Sequence, residues 1–295
     1  MSLTYQNLNV LEFYRKLPFN IYLNKESAIK SIKESDPINF LPPLKDIIIN
    51  KEDFNILDVG CGVGWFVNSL SFFFKKIQVT GVDYNQIAID FANNIKEKMK
   101  LKSSFLKQDL FDMNFNKKFD LVTSIGVLHH TNNCLEGINK LLELSPNYIL
   151  LGLYHKHGRK PFLDHFDNLK KKYSSLNTSQ KETELFKEYK KLDKRGSNDL
   201  HSRSWFKDQV LHPHETQHTF KEIIPAFLNK NYEIIKTSLN KFEYIKDYKN
   251  IIDTEKDWYE YSLNKLEKKE YFPGFFIVIA KKKITRTFRD IKRRI

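Results

Sequence analysis

Cysteine is scarce in this sequence, which has two in 295 residues, Cys61 and Cys134. Two distant cysteines do not indicate a disulfide framework, so a reducing compartment is favoured. Long apolar runs are also lacking, because no stretch approaches the roughly 20 residues of a membrane-spanning helix. The first residues carry no basic segment followed by a hydrophobic one, as a secretory signal would. We therefore expect a cytoplasmic protein.

Acidic residues are outnumbered: 36 Asp and Glu stand against 49 Lys and Arg, which gives a formal charge of +13. Only eight of the basic residues are arginine, and an excess of lysine can reflect genome base composition, so the overall charge is a weak clue to a partner. A hydrophobic content of 41% over this length can bury a substantial core, which argues against disorder.

A glycine-rich stretch, Gly-Cys-Gly-Val-Gly, organises the sequence. The apolar run before it, residues 54–59, predicts a strand, and residues 66–74 have apolar side chains at helical spacing. Glycines without a Cβ let a ligand approach main-chain N–H groups next to a helix N-terminus, as in a nucleotide cradle. The dinucleotide fingerprint needs glycine at the sixth position, which is Trp65 here, so binding of NAD is disfavoured. The three glycines are Gly60, Gly62 and Gly64.

Two carboxylates accompany this loop. Asp58 lies two positions before the first glycine, and Asp83 ends a second apolar run that begins at Ile77. A carboxylate at the end of the second strand can hold a ribose diol by paired hydrogen bonds.

These motifs resemble the class I S-adenosylmethionine-dependent methyltransferases, from about Asn55 to Leu153. The resemblance implies S-adenosyl-L-methionine as the cofactor, with the glycine loop facing its methionine part and Asp83 binding its ribose. It also implies that Tyr84 packs on the adenine, that Asp109 reads the adenine amino group, and that residues 125–130 lie beside the reactive methyl. The implied cofactor-binding residues are Asp58, Gly60, Cys61, Gly62, Gly64, Trp65, Asp83, Tyr84, Asp109, Leu110, Ser124 and Ile125.

The same resemblance implies an α/β fold: a Rossmann-like, seven-stranded, mostly parallel sheet with one antiparallel strand and helical cap insertions. Within the insertion we predict a loop at residues 155–159 followed by helices at 161–173 and near 181–194, and after it a helix from Thr216 to Asn229. The expected parts are an N-terminal helical extension (1–53), a cofactor-binding core (54–154), a helical substrate-cap insertion (155–215), the C-terminal part of the fold (216–283) and a basic amphipathic tail (284–295).

The N-terminal extension and the insertion are the two candidates for covering the site. Related methyltransferases often close such an extension over the cofactor, which would bring Tyr14 and Asn20 to the site. A packing helix and a turn are the alternative. The insertion follows the fifth strand, at the sheet edge where α/β proteins bind substrates, although it could also be a solvated helical hairpin.

Histidines supply the candidate catalytic residues. His129 and His130 follow the fourth strand, and His214 and His218 would approach from the cap. A base is needed only when the acceptor must lose a proton, and histidine titrates in the right range. His214, Glu215 and His218 also spell the H-E-x-x-H zinc motif, but Pro213 precedes it and no clear third ligand follows, so we expect no metal.

The acceptor is inferred from absent motifs. The chain has neither the Pro-Pro-aromatic motif that follows the fourth strand in enzymes acting on adenine or glutamine amino groups nor an appended RNA-binding module. We therefore predict methylation, on oxygen or nitrogen, of a small molecule or of a sugar or lipid intermediate. The alternatives are an RNA methyltransferase, less favoured, and a non-catalytic S-adenosylmethionine-binding protein.

The C-terminal residues 281–295 hold eight basic groups and one acid, with apolar residues at helical spacing. Such a helix can lie in the surface of an anionic membrane, at the inner face, or track nucleic-acid phosphates. It can equally pack on the protein's own sheet. The apolar residues are Ile284, Phe288, Ile291 and Ile295.

Overall fold

The computed structural model of this protein describes residues 5–144, 146–195 and 198–283. The predicted tail, 284–295, lies outside the described residues. A seven-stranded sheet in the order β3-β2-β1-β4-β5-β7-β6 forms the centre. Six strands run parallel to one another and β7 is antiparallel to both of its neighbours, which confirms the predicted fold class. The strands are β1 Asn55–Val59, β2 Gln78–Asp83, β3 Ser104–Lys107, β4 Leu121–Ile125, β5 Tyr148–Tyr154, β6 Tyr232–Thr237 and β7 Phe275–Lys282.

Thirteen α-helices accompany the sheet in the described part of the chain. They are α1 Tyr5–Lys16, α2 Lys25–Glu34, α3 Pro37–Phe40, α4 Leu44–Ile48, α5 Trp65–Phe73, α6 Gln86–Met99, α7 Cys134–Glu143, α8 Lys156–Lys172, α9 Thr178–Leu192, α10 Asp199–Val210, α11 Phe220–Asn229, α12 Tyr248–Thr254 and α13 Trp258–Glu267.

Apolar side chains cover both faces of the sheet. On β5, Ile149 and Leu151 pack with α7 and α11, and Leu150 packs with α4, α5 and α6 on the opposite face. All three side chains are fully buried. A strand covered on both faces reads as a continuous apolar run, which is why β5 could be predicted from the sequence.

The insertion has a small core of its own. Three helices, α8 to α10, contribute the buried aromatic residues Phe162, Phe166, Tyr189 and Phe206 to it. The predicted loop at residues 155–159 is wrong, because α8 begins at Lys156, where the side chain of His155 accepts the N–H of Gly158 and caps the helix. The third helix, α10, was not predicted, so the described part of the insertion has three helices where two were expected.

The predicted start of the following helix at Thr216 is also wrong. Thr219 and Glu222 form a capping box, so α11 begins at Phe220. The backbone before it is extended, since the N–H of His218 donates to the carbonyl of Tyr154 at 2.9 Å. In the described part of the chain, no helix has the length and apolar character needed to cross a bilayer.

Candidate active site

The glycine loop turns the chain from β1 into α5 and is tied to β2. The N–H groups of Gly60 and Cys61 both donate to the carbonyl of Val82, at 2.8 and 3.0 Å. Gly60 has φ +77°, and a Cβ there would lie 2.4 Å from a methyl of Val127. Gly62 has φ +52°, and a Cβ there would meet no atom within 4 Å. Gly60 therefore permits close packing, whereas Gly62 leaves bare backbone open to a ligand.

Asp83 receives this loop at the end of β2. One carboxylate oxygen accepts the N–H of Gly62 and the other accepts the N–H of Asn85, both at 2.8 Å. Burial raises the pKa of Asp83, although these backbone donors act in the opposite direction. Each carboxylate oxygen keeps a further lone pair, so Asp83 can still accept hydrogen bonds from a diol.

A cleft of about 190 Å³ opens between the loop, the ends of the strands and α1. Seven of the twelve predicted cofactor-binding residues line it. They are Gly60, Gly62, Asp83, Tyr84, Asp109, Leu110 and Ile125.

The other five lie behind the cleft and maintain its shape. Asp58 accepts the hydroxyl of Thr123 at 2.7 Å, and burial raises its pKa to about 7. The indole of Trp65 donates to Ser31 on α2 at 3.1 Å, and the hydroxyl of Ser124 donates to the carbonyl of Val59 at 3.0 Å.

Cys61 and Gly64 complete this group. The Cys61 sulfur would lie 2.8 Å from a Cβ placed on Gly81, so Cys61 packs against β2. Gly64 adopts φ +74° at the start of α5, where a Cβ would lie 2.5 Å from that of Ala92. Both positions thus preserve the close approach of the loop to its neighbours.

Gln108 is among the lining residues that the sequence reasoning missed. Gln108 follows β3, and its side-chain oxygen is buried without a hydrogen-bond partner in the described part of the chain. Asp109 beside it accepts the N–H of Phe111 at 2.9 Å. An amino group entering the cleft would satisfy the Gln108 acceptor.

The N-terminal helix α1 covers the cleft. Val10, Leu11 and Tyr14 line it, and the carbonyl of Tyr14 accepts the side-chain N–H of Asn85 at 3.1 Å. The Tyr14 hydroxyl donates to Asp208 of α10 at 2.5 Å, and burial raises the pKa of Tyr14 well above its usual value. Of the two extension residues considered, Tyr14 therefore faces the site.

Asn20 has a different place. Its side-chain oxygen accepts the indole N–H of Trp205 at 3.1 Å and lies 2.6 Å from a ring nitrogen of His201. Asn20 thus ties the extension to α10, as the bond from Tyr14 to Asp208 also does.

His130 is the predicted histidine that lines the cleft. Its Nδ1 lies 3.1 Å from the carbonyl oxygen of His214, and its Nε2 lies 3.7 Å from Asp208. Burial lowers the pKa of His130 to about 3, so the ring is neutral at physiological pH.

His129 is buried beside it, with its ring 4.2 Å from that of Tyr154 and its Nδ1 without a hydrogen-bond partner in the described part of the chain. Burial lowers the pKa of His129 well below its usual value. His129 and His130 are thus both neutral, but of the two only His130 lines the cleft.

The H-E-x-x-H segment is not helical. His214 Nε2 lies 2.9 Å from the carbonyl oxygen of Thr131, and His218 Nε2 lies 3.0 Å from the hydroxyl of Thr216, outside the cleft. Glu215 pairs with Arg159. Among the described residues, no group of three or more His, Cys, Asp or Glu is arranged to hold a metal ion.

Sequence reasoning also missed three polar residues around His130. Asp208 and His212 contact it directly, and burial raises the pKa of Asp208 to about 7 and lowers that of His212 to about 2. Arg159, which is 0% exposed, holds the end of α10 through the carbonyl of Gln209 and the segment after it through Glu215. No local sequence pattern marks these residues, because their partners are distant in the chain.

Residues 50–288 match a protein-family model described as a methyltransferase domain. The chain is 27% identical over 161 residues to the ubiquinone biosynthesis O-methyltransferase of Rickettsia bellii (strain OSU 85-389). The matched region covers 53% of this chain and 66% of that protein. The chain therefore spans slightly less than two thirds of this curated relative.

Two solved structures have a similar fold. The magnesium protoporphyrin IX methyltransferase from Synechocystis PCC 6803, with bound SAH, shares 15% identity and a TM-score of 0.51 over 94% of each chain. The cyclase SpnF shares 11% identity and a TM-score of 0.53, over 96% of this chain and 98% of that one. At such identities the likeness shows the fold alone.

Proposed function

Since its methyltransferase domain spans residues 50–288, this chain belongs to the class I S-adenosylmethionine-dependent methyltransferases, and we propose that it methylates a small-molecule acceptor. The observation that carries the proposal is the cleft in which the glycine loop, Asp83 and His130 meet. The name of the Rickettsia relative, an O-methyltransferase of ubiquinone biosynthesis, supports an acceptor of this class.

The residues of the cleft fit S-adenosyl-L-methionine. The open backbone at Gly62 admits a ligand, and Asp83 has lone pairs left for the two ribose hydroxyls. The orphaned oxygen of Gln108 can accept a hydrogen bond from the adenine amino group. When bound, the cofactor supplies an electrophilic methyl group on a sulfonium centre.

The protein positions the two reactants, excludes water from the cleft and supplies a proton acceptor. Tyr14 and the rest of α1 cover the cleft and exclude water, so that donor and acceptor are held in near-attack geometry. His130 is neutral and its Nε2 has no hydrogen-bond partner in the described part of the chain. This nitrogen can therefore accept a hydrogen bond from the methyl acceptor and take its proton as methylation makes that proton strongly acidic, and Asp208 lies 3.7 Å away.

Titration calorimetry with S-adenosylhomocysteine tests cofactor binding. We expect micromolar affinity, about −8 kcal/mol, and much weaker binding of NAD. Replacement of Asp83 by Ala removes the acceptor for both ribose hydroxyls and should weaken binding by about 1.5 to 3 kcal/mol. Asp90→Ala is the matched control, because Asp90 is an exposed carboxylate on α6 outside the cleft. Equal binding by the Asp83 variant and the wild type would contradict the assignment.

A test for transfer follows from the same variants. Release of S-adenosylhomocysteine from S-adenosylmethionine, measured against a panel of small acceptors, should depend on both Asp83 and His130. Binding of the cofactor without turnover of any acceptor would instead favour a non-catalytic binding protein.

We also propose peripheral contact with anionic membranes through the basic tail, residues 284–295. The support is the sequence pattern alone, since each basic residue near an anionic surface contributes about 1 kcal/mol. A chain ending at Lys283 should keep its cofactor affinity and lose sedimentation with phosphatidylserine-containing liposomes at low salt. If the full chain never sediments, or if truncation unfolds it, the tail has a structural role.

A further inference from the structure

The backbone of His214 fixes the tautomers of two buried histidines. The Nδ1 of His130 lies 3.1 Å from the carbonyl oxygen of His214. A carbonyl only accepts, so this Nδ1 carries the hydrogen and the Nε2 of His130 has a lone pair. The N–H of His214 donates to the Nδ1 of His212 at 3.1 Å, so the hydrogen of His212 is on Nε2. The two rings are therefore opposite tautomers.

These rings lie against each other. Their centroids are 3.7 Å apart with 28° between the planes. Both Nε2 atoms are buried without a hydrogen-bond partner in the described part of the chain. The nearest acidic oxygen, on Asp208, is 3.7 Å from the Nε2 of His130 and accepts the hydroxyl of Tyr14. Two stacked rings thus carry a buried acceptor and a buried donor, His130 lines the cleft with His212 packed against it, and each atom is costly to leave unpaired.

A hydroxyl group matches this pair and also reacts. Its hydrogen can bond to the Nε2 of His130, and one oxygen lone pair can accept the N–H of His212, which leaves the second lone pair to attack the methyl. A neutral amine has one lone pair, which cannot both accept this hydrogen bond and attack. An ammonium has none, and a carboxylate has no hydrogen for His130.

We propose that His130 and His212 together select a hydroxyl acceptor, so that this protein is an O-methyltransferase acting on an alcohol or a phenol. The inference rests on the proposed methyltransferase function and names the acceptor atom of the same site. The ring of Tyr14 packs against both imidazoles, at 6.4 and 5.4 Å between centroids, so it must shift for an acceptor to reach both Nε2 atoms while the rest of α1 keeps the cleft covered.

The chemical step balances without another reactant. The acceptor oxygen forms a bond to the methyl carbon as the bond from that carbon to sulfur breaks, and the sulfur keeps the electron pair. The hydroxyl proton passes to the Nε2 of His130. The N–H of His212 keeps its hydrogen throughout and stabilises the negative charge that develops on the oxygen.

Nitrogen NMR of the S-adenosylhomocysteine complex tests the tautomers directly. Long-range proton–nitrogen spectra at neutral pH should show the hydrogen of His130 on Nδ1 and that of His212 on Nε2. Single variants of each histidine assign the signals. The reverse tautomer at either ring would overturn the proposal, and this measurement needs no knowledge of the natural acceptor.

Phenol and toluene serve as probes of hydroxyl recognition in the same complex. Phenol should shift the Nε2 signals of both rings, and toluene, which has the same ring without the hydroxyl, should shift neither. His212→Phe keeps an aromatic ring on His130 but removes the donor, so it should weaken phenol binding about tenfold while the affinity for S-adenosylhomocysteine stays within about twofold. Unchanged phenol binding in His212→Phe, or no shift with phenol, would overturn the hydroxyl proposal.

The methyltransferase function and the hydroxyl acceptor can be refuted separately. Loss of S-adenosylhomocysteine binding in the wild type would refute the methyltransferase function itself. Normal cofactor binding with wrong tautomers refutes only the hydroxyl acceptor. If His212→Phe fails to fold, the tautomers measured in the wild type still test the hydroxyl proposal.

Discussion

Replacement of Arg159 by Met should destabilise the protein more than any other single change at the site. The guanidinium is 0% exposed and donates two hydrogen bonds to Glu215, at 2.9 and 2.7 Å. It also donates to the carbonyls of Gln209 at 2.7 Å and Pro273 at 3.2 Å, and its centre lies 3.8 Å from the ring of Tyr154. Arg159 therefore joins α8, the end of α10 and the loop before β7.

The magnitude follows from the partner that remains. Glu215 is only 13% exposed at its side chain, so Arg159→Met leaves a mostly buried carboxylate without its cation. Removing one partner of a buried ion pair costs about 3 to 5 kcal/mol. Arg159→Lys keeps the charge but cannot form the two parallel hydrogen bonds to Glu215, so its cost should be intermediate.

Urea unfolding followed by circular dichroism measures these free energies. Lys160→Met is the matched control, since Lys160 is the next residue of α8 and its pair with Asp164 is exposed, so its midpoint should not change measurably. The double variant Arg159→Met, Glu215→Leu should recover much of the loss, because no orphaned charge remains. A loss below about 1 kcal/mol in Arg159→Met, or simple additivity in the double variant, would refute the reasoning.

Three further outcomes are expected. Gly60→Ala should lower the free energy of unfolding by about 1 to 3 kcal/mol, because its Cβ meets Val127 at positive φ, and Val127→Ala should restore part of it in the same urea assay. Burial raises the pKa of Asp208 to about 7, so the folded state favours the protonated acid; the stability that Asp208 contributes is present below about pH 4 and is lost as pH rises through 7. Asp208→Asn should therefore flatten the dependence of the urea midpoint on pH, and an unchanged slope would count against that pKa. His130→Ala should abolish most turnover with unchanged cofactor affinity in calorimetry, whereas His218→Ala, outside the cleft, should retain most of its activity, and equal losses would give His218 a place in the reaction.

The cofactor side of the cleft could be predicted because its signals are local. The strand before Gly60, the helix that begins at Trp65 and the acid at the end of β2 occupy fixed positions within one strand–loop–helix–strand unit. The side chain of Trp65 could not be placed in this way, since its partner, Ser31, belongs to the N-terminal extension.

The acceptor side could be predicted only as a set of histidines. Tyr14 and Asp208 are 194 positions apart, and Arg159 and Glu215 are 56 apart, so their pairing depends on how the extension and the insertion pack. The segment from Leu211 to Thr219 contains an apparent zinc motif, but tertiary contacts hold it extended and capping at Thr219 delays the helix. Likewise, the tautomers of His130 and His212 follow from main-chain contacts that no sequence pattern specifies.

Because β7 lies between β5 and β6, the sheet cannot be completed until the end of the chain has been synthesised. β7 is the last of the seven strands to be synthesised. It is the only strand that pairs with β6 in the described sheet, and it pairs with one edge of β5 along the whole of Tyr148–Tyr154. Until residues 275–282 leave the exit tunnel, the nascent chain exposes an unpaired, strongly apolar strand edge that invites pairing with other chains. Chains interrupted before Phe275 should therefore be clients of chaperones or aggregate, even though the complete glycine loop and its carboxylates are already present.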